Sequence, residues 1–122
     1  MALLARLKRP EDFRRVYTNG TSYVHRLMVL YVLPSGKDPS RIGLVVSKKI
    51  GKAVVRNKVK RRLRVITDSA RVPGGFDLVV VARGRAREVN FWTLHGAFSS
   101  LARRAGILAE GESAAILVEE DK

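Results

Sequence analysis

The segment from Val55 to Ala70 restricts the possible folds more than any other part of the chain, because its apolar residues recur at helical spacing. On a helical wheel an arc of about 80° contains Val55, Val59, Leu63, Ile66 and Ala70. A helix with one apolar face has to pack that face against another element. Apolar, β-branched runs precede and follow it, at residues 42–46 and 76–82. The pattern therefore predicts a strand-helix-strand unit.

The opposite side of the same helix is polar and basic. Roughly 140° of the wheel holds Arg56, Asn57, Lys60, Arg61 and Arg64. Nine of the chain's 24 basic residues lie between positions 48 and 64, and no carboxylate occurs between Asp38 and Asp68. Most charge runs are simply solvated, but an ordinary solvated helix mixes signs for i,i+4 pairing. A single sign over this length indicates a polyanionic partner, and nucleic acid is the expected one.

Signals on either side of this unit complete an α-β-β-α-β-α order. Pro10 with two acids after it is typical of a first helical turn, and Asn19-Gly20 ends that helix. Residues 27–33 predict the first strand, and Pro34 to Pro39 the turn after it. Asn90 is the expected N-cap of a last helix that ends at Gly106. Residues 114–118 predict either a late edge strand or no element.

Length and composition favour one folded basic domain. The chain has 122 residues, a formal charge of +13, 46% hydrophobic residues and no cysteine, which excludes disulfides and thiolate metal sites. We assign the domain to residues 1–109 and an acidic tail to residues 110–122, either disordered or forming a short edge strand. The first residues lack the pattern of a secretory signal, and no apolar run reaches about 18 residues. We therefore expect a soluble, cytoplasmic protein without membrane contact.

Two aromatic residues lie one turn apart on the first helix, at Phe13 and Tyr17. At i,i+4 spacing such a pair more often packs in a core. The alternative is a stacking platform for single-stranded bases, to which Tyr31 or Tyr23 would add a third ring. The residues by themselves leave both interpretations open.

Signatures of a self-contained catalytic site are weak. Gly51-Lys52 resembles part of a phosphate-binding loop, but Val46 stands where its leading glycine is needed and Ala53 replaces the Ser or Thr that holds magnesium. His25 and His95 are the only histidines and lie seventy positions apart. The pattern predicts no catalytic residue and no metal ligand on this chain.

The predicted helix from Val55 to Ala70 resembles the signature helix of the protein subunit of bacterial ribonuclease P. Residues 56–64 read RNKVKRRLR and match the pattern R-N-x-x-K-R-x-x-R at every fixed position, after SKKIGKAV at residues 47–54. Shorter similarities extend over roughly residues 4–105, at the first helix, at residues 29–31 and 41–44, and at residues 80–83. Position 65 departs from the family, since Val65 stands where an acid or amide is common.

This resemblance implies a small α/β (α+β) two-layer sandwich with a mixed central sheet, whose β-α-β crossover over residues 42–82 is left-handed. General connection rules would favour the right-handed form. It also implies one RNA-binding domain that acts as the protein component of a ribonucleoprotein endoribonuclease. The expected partners are the catalytic ribonuclease P RNA, with one protein per RNA, and precursor tRNA. The expected cofactor is Mg²⁺, held mainly by the RNA subunit.

The resemblance further assigns residues to two surfaces. The residues expected to contact the catalytic RNA are Arg56, Asn57, Lys60, Arg61 and Arg64, with Lys48, Lys49 and Lys52 placed by neighbourhood. The residues expected to bind the 5′ leader of precursor tRNA are Phe13, Tyr17 and Tyr31, with Arg83 placed by neighbourhood. The protein would thus assist magnesium-dependent removal of the leader by the catalytic RNA.

Two other functions remain open from the residues. A ribosomal or general RNA-binding protein without a processing role explains the charge equally well, but not the aromatic residues. A self-sufficient basic nuclease would cleave RNA without an RNA subunit. A protein with a processing role should favour a leader-bearing precursor over mature tRNA, whereas a general RNA-binding protein should bind both equally. Cleavage of RNA by the protein alone would establish the self-sufficient nuclease.

Overall fold

The computed structural model describes residues 4–108, which form a sheet of five strands and three α-helices. The strands are β1 (Ala5–Arg6), β2 (Thr21–Val24), β3 (Met28–Pro34), β4 (Arg41–Val45) and β5 (Phe76–Ala82). The helices are α1 (Pro10–Asn19), α2 (Ala53–Ser69) and α3 (Phe91–Arg104), and short 3-10 turns occupy Lys48–Ile50 and Gly84–Glu88. The predicted mixed α/β class is confirmed.

The strands lie in the order β1-β4-β5-β3-β2. β4 and β5 are parallel neighbours joined through α2, which confirms the strand-helix-strand unit. β1 is also parallel to β4, whereas β3 is antiparallel to both β5 and β2. The sheet is therefore mixed, as expected, and the left hand of the crossover stays a prediction from the family resemblance.

The sequence did not predict β1 or β2. β1 has only two residues, and its extended form depends on pairing with Arg41 and Ile42 of β4. β2 follows α1 directly and pairs with β3 over Val29 to Val32, without a Gly or Asn in the connecting turn to announce a hairpin. Both are edge strands of the sheet; β1 depends on a strand that is distant in sequence, whereas the largely exposed β2 lacks the apolar run that marks a strand.

Helix ends follow the local signals closely. α1 begins at Pro10, as predicted, with Glu11 and Asp12 in its first turn. The Asn90 side chain caps α3 by accepting a hydrogen bond from the Thr93 N–H at 2.9 Å. Gly106 follows α3 with φ of 79°, a conformation that favours glycine at a helix end.

The two faces of the sheet carry different cores, because strand side chains alternate between them. On one face Leu30, Ile42 and Val80 pack with Leu63 of α2 and Phe98 of α3. This is the larger cluster. On the other face a smaller cluster joins Val79 to Leu7 and to Val16 of α1. The layer formed by α2 and α3 thus lies on one side of the sheet, and α1 lies on the other.

The predicted acidic tail and the short run at residues 114–118 lie outside the described residues. Among residues 4–108, no helix combines the length and the apolar character that crossing a membrane requires.

Candidate RNA interface

α2 presents the basic face that its sequence predicts. Asn57, Lys60 and Arg61 are exposed, and Arg56 and Arg64 are half-buried at the borders of that face. The opposite stripe is buried at Val59, Leu63, Ile66 and Ala70. Val55, which the wheel also placed in the stripe, is only half-buried because it lies in the first turn of the helix.

The turn before α2 extends this surface. Lys48, Lys49 and Lys52 are exposed. Arg56 Nε donates a hydrogen bond to the Gly51 carbonyl oxygen at 3.1 Å, which holds the turn against the helix. Gly51 has φ of 152°, which a residue with a side chain rarely adopts. We call the following eight residues the α2 basic surface: Lys48, Lys49, Lys52, Arg56, Asn57, Lys60, Arg61 and Arg64.

Within residues 4–108, no cation of the α2 basic surface forms an ion pair with a carboxylate. Arg64 has the most distinctive surroundings, because its Nη1 atom is buried and has no hydrogen-bond partner among the described residues. Burial lowers the pKa of Arg64, the charge of Arg6 on β1 lowers it further, and Asp68 opposes the change. A buried donor beside a like charge favours binding of an anion.

Two other basic residues of this region have structural contacts. Arg62 Nη1 donates to the Val89 carbonyl oxygen at 2.9 Å and ties α2 to the segment before α3. Arg87 Nη1 donates to the Ile50 carbonyl oxygen at 2.7 Å and joins the two 3-10 turns. The basic residues of this region therefore fall into two groups, those whose side chains stabilise the fold and those whose side chains face solvent.

The predicted aromatic residues meet on the α1 side of the sheet. The Tyr17 and Tyr31 rings lie edge to face, with centroids 5.0 Å apart and planes at 76°. The Phe13 ring covers Gly43 of β4 so closely that a Cβ there would overlap it. We call the surface formed by Phe13, Tyr17 and Tyr31 the aromatic cleft.

Apolar residues of the central strands adjoin the aromatic cleft, and sequence reasoning did not identify them. Val45 and Val81 are half-buried and belong to the same cluster as Phe13 and Tyr31. Gly43 lies two residues before Val45 on the same face of β4 and leaves room for the Phe13 ring. Strand alternation is the signal that would have revealed them, once the pairing of β4 with β5 and of β5 with β3 is known.

The three aromatic residues differ in exposure. Tyr17 is 40% exposed, whereas Phe13 and Tyr31 are half-buried. Burial raises the pKa of Tyr17, and Tyr31 adds to the shift, so the phenol keeps its proton and can donate a hydrogen bond at neutral pH. Tyr23, the alternative third ring, packs against the larger cluster on the opposite face of the sheet. Tyr31 therefore completes the group.

Arg83 follows β5 directly and is exposed. Its N–H donates to the Leu27 carbonyl oxygen at 3.0 Å, and its Nη1 donates to the His25 carbonyl oxygen at 3.4 Å. It lies two residues beyond Val81, which adjoins the cleft. Arg83 thus places a cation at the C-terminal end of β5.

Ion pairs fix α1 over the sheet. Arg41 of β4 binds Asp77 of β5, with Nε to Oδ1 at 3.0 Å and Nη2 to Oδ2 at 2.8 Å. Asp12 of α1 accepts from Arg15 at 2.7 Å and from Arg41 at 3.4 Å. Asp77 is 2% exposed and thus anchors this network. The network determines where Phe13 and Tyr17 lie.

The two histidines lie in different surroundings. His25 Nδ1 accepts a hydrogen bond from the Leu27 N–H at 3.1 Å, and burial, followed by the charges of Arg26 and Arg104, lowers the pKa of His25. His95 is buried and contacts the rings of Phe91 and Trp92. Residues 4–108 contain no group of three His, Asp or Glu side chains placed to hold a metal ion.

Comparison with known proteins identifies one family. The family model described as Ribonuclease P matches residues 1–106. The ribonuclease P protein component of Caldanaerobacter subterraneus subsp. tengcongensis is 42% identical over 113 residues, which cover 89% of this chain and 96% of that protein. The corresponding protein of Clostridium botulinum strain 657 is 40% identical over 108 residues, covering 84% and 95%.

Solved structures agree with this result. The ribonuclease P protein from Thermotoga maritima superposes with a TM-score of 0.72 at 36% identity, covering 87% of this chain and 98% of that one. The ribonuclease P protein from Staphylococcus aureus gives a TM-score of 0.73 at 30% identity, covering 92% and 99%. The residues matched by the family model, 1–106, include the five strands and both candidate surfaces.

Proposed function

The chain belongs to the ribonuclease P protein family and is the protein component of that tRNA-processing endoribonuclease, and from this premise we propose which of its surfaces contacts which RNA. The α2 basic surface contacts the catalytic RNA. Its cations are free of carboxylate partners within residues 4–108, so they can neutralise backbone phosphates without first breaking an ion pair. Asn57 stands among them as a side chain that both donates and accepts hydrogen bonds.

The aromatic cleft binds the single-stranded 5′ leader of precursor tRNA. Phe13, Tyr17 and Tyr31 offer ring faces and edges on which bases can stack without sequence preference. Arg83 adds a cation beside this surface for the leader backbone. The observation that carries the proposal is the separation of the two surfaces: the aromatic cleft lies on the α1 face of the sheet, whereas α2 packs on the opposite face.

The catalytic step takes place on the RNA subunit. RNA phosphates rather than residues of this chain would hold the magnesium ions, which would supply an activated water and stabilise the charge that develops on the cleaved phosphodiester. This chain contributes binding free energy: leader contacts hold the substrate, and the basic surface neutralises phosphates of the folded RNA. Together these contacts lower the magnesium concentration at which the holoenzyme works.

One protein binds each catalytic RNA, and the holoenzyme acts in the cytoplasm. The similarity of the ribonuclease P protein components to this chain supports an RNA partner, and a general RNA-binding role is not favoured.

Titration of the protein into a catalytic RNA at low magnesium, following cleavage of precursor tRNA, tests the proposal. Arg61 is exposed on the α2 basic surface and forms no ion pair within residues 4–108, so Arg61→Ala should weaken assembly by about 1 to 3 kcal/mol without loss of fold stability. Arg71→Ala is the matched control, since Arg71 is an exposed arginine beyond the end of α2.

The expected result is a titration curve displaced to higher protein concentration for Arg61→Ala and unchanged for Arg71→Ala. If both variants follow the wild-type curve at limiting magnesium and protein, the α2 basic surface does not contact the catalytic RNA. Cleavage of precursor by the protein without any RNA would instead identify a self-sufficient nuclease.

A further inference from the structure

A second concentration of positive charge surrounds a cavity at the end of β5. The cavity has a volume of about 420 Å³. Its lining consists of Arg26, Arg83, Gly84, Arg85, Arg87 and Glu88. Arg26 comes from the connection between β2 and β3, and the other residues come from the segment after β5. Two parts of the chain that are distant in sequence thus bring four guanidinium groups to one opening.

The charges of this cavity are poorly compensated. Glu88 is its only carboxylate, and within residues 4–108 none of the four arginines forms an ion pair with a carboxylate. Four like charges around one opening repel one another, and an anion between them would relieve that repulsion. Guanidinium groups suit a phosphate in particular, because their paired N–H donors match two of its oxygens.

Two of the arginines are already fixed by backbone contacts. Arg83 is held to the β2–β3 connection through the carbonyl oxygens of His25 and Leu27. Arg87 is held to the turn before α2 through the Ile50 carbonyl oxygen at 2.7 Å. Between them Ala86 is buried, and its N–H donates to the Arg83 carbonyl oxygen at 2.9 Å. The wall of the cavity is therefore preorganised, while Arg26 and Arg85 are exposed and can move toward a ligand.

We propose that this cavity is a second RNA-binding site, which takes a backbone phosphate through Arg26, Arg83, Arg85 and Arg87. The proposal rests on the proposed function, because it assumes that the protein works on RNA. A volume of about 420 Å³ lies in the range of small-molecule sites, which leaves room for a phosphate with its adjoining sugar.

The position of the cavity defines two sources for that phosphate. Val79 of β5 pairs with Tyr31, and Arg83 lies four residues further along, at about 13 Å for an extended strand. A leader that stacks on the aromatic cleft and continues in this direction would bring an upstream phosphate to the cavity. Arg87 also borders the turn that begins the α2 basic surface. A phosphate of a catalytic RNA bound to that surface would therefore lie close to the cavity.

Arg26→Ala and Arg85→Ala are the test variants, because both side chains are exposed and their removal should leave the fold intact. Arg71→Ala is the matched control, since it removes the same charge before the opposite end of β5. Glu88→Gln completes the set. It removes the only carboxylate of the cavity and should strengthen binding, a result that a folding defect cannot produce.

Two affinities are measured for each variant across a range of salt concentrations. One is the affinity of the protein for the catalytic RNA alone. The other is the affinity of the assembled holoenzyme for precursor tRNAs whose leaders are shortened one nucleotide at a time from the 5′ end. We expect Arg26→Ala and Arg85→Ala to weaken binding about 3- to 10-fold at low salt, and to reduce the slope of log K against log salt concentration by about 0.7 to 1.

The pattern of the loss identifies the source. A loss confined to long leaders, with normal affinity for the catalytic RNA, assigns the phosphate to the leader. A loss of affinity for the catalytic RNA, independent of leader length, assigns it to that RNA. The proposal is overturned if both arginine variants behave like Arg71→Ala in both measurements and Glu88→Gln binds no more tightly than wild type. Failure of the proposed function would appear separately, as a wild-type holoenzyme that does not distinguish precursor from mature tRNA.

Discussion

Phe13 and Tyr17 lie one helical turn apart on α1, yet their side chains have different surroundings. Phe13 is half-buried and covers Gly43 of a central strand, so it belongs partly to the core. Tyr17 is 40% exposed and touches Tyr31 edge to face. The two interpretations that the sequence left open, core packing and base stacking, therefore apply to different members of the pair.

This difference predicts separate effects of two substitutions. Tyr17→Ala should reduce leader affinity by about 1 to 3 kcal/mol through loss of a stacking ring, with little change in the free energy of unfolding. Phe13→Ala should reduce both quantities, because it also uncovers Gly43, and a buried Phe typically contributes about 3 kcal/mol to stability. Leader affinity is measured with the holoenzyme, and stability by urea denaturation of the free protein.

Thr18→Ala provides the control, since Thr18 is exposed on the same helix. It should leave both quantities unchanged. If Tyr17→Ala lowers stability but not leader affinity, Tyr17 is a packing residue and the aromatic cleft does not hold the leader.

Residue positions on α2 could be predicted because burial along a helix follows its period. The exposed Asn57, Lys60 and Arg61 and the buried Leu63 lie where the wheel places them. The buried Nη1 of Arg64, which has no hydrogen-bond partner within residues 4–108, could not be predicted, and neither could the nearby charge of Arg6, because Arg6 belongs to β1, a strand that is distant in sequence and gave no local signal. Periodicity shows which face a side chain takes but not which neighbour it meets there.

At the scale of elements, the docking of α1 determines the geometry of the aromatic cleft. A buried carboxylate, Asp77, binds Arg41 through two hydrogen bonds, and Arg41 in turn reaches Asp12 on α1. The helix is thus anchored at its first turn by charge and at Val16 by apolar packing. A change in this network should therefore move the aromatic residues without touching them.

Asp77→Asn is expected to destabilise the fold by about 3 kcal/mol, because it removes the carboxylate that binds Arg41 through two hydrogen bonds and leaves only the longer contact to Asp12, at 3.4 Å. Arg15→Ala is the matched comparison. The Arg15 side chain is 45% exposed, so its ion pairs with Asp12 and Asp77 should contribute less than about 1 kcal/mol. Urea denaturation of both variants measures the difference. Equal destabilisation would show that the buried pair does not anchor α1.

Acid should weaken the same network at Asp12. Burial by itself raises the pKa of Asp12, but the hydrogen bond from Arg15 and the charges of Arg41, Arg15 and Arg9 outweigh it and lower the pKa below its ordinary value. A lowered folded-state pKa stabilises the fold above the ordinary carboxyl pKa of about 3.9, and that contribution is lost as the pH falls through the folded-state pKa.

The free energy of unfolding of wild type should therefore exceed that of Asp12→Asn by a constant amount near neutral pH. The difference should shrink only below about pH 4. A difference that stays constant down to the lowest accessible pH would show that the charge of Asp12 does not contribute to stability.

The elements that could be predicted are those whose own residues specify them. The bounds of β5 and the start of α1 agree with the sequence, because strong local signals mark them: a continuous apolar run and a proline followed by acids. β1 was missed because its two residues are too few to form a pattern and depend on pairing with β4. β2 was missed because its residues are largely exposed and form no apolar run. The order of strands in the sheet is a property of the folded chain, and only the resemblance to a known family indicated the architecture.

At the scale of the whole molecule, the net charge of +13 is unevenly distributed. Five of the chain's eleven acids lie in residues 110–122. In the described part, Asp12 and Asp77 are already paired with arginines. They therefore do not oppose the positive field of the α2 basic surface or of the arginine-lined cavity. Electrostatic attraction should bring RNA to the protein from several directions, and local shape should decide which RNA binds where.

The central claim is that the sheet separates two kinds of RNA contact, with the catalytic RNA on the α2 basic surface and the leader in the aromatic cleft. The most direct measurement compares the affinity of wild-type, Tyr17→Ala and Arg61→Ala holoenzymes for precursor tRNA and for mature tRNA, each assembled with saturating protein. We predict that wild type binds the precursor more tightly, that Tyr17→Ala loses this preference, and that Arg61→Ala keeps it once assembly is complete. Equal binding of precursor and mature tRNA by the wild-type holoenzyme, or loss of the preference in Arg61→Ala alone, would contradict the claim.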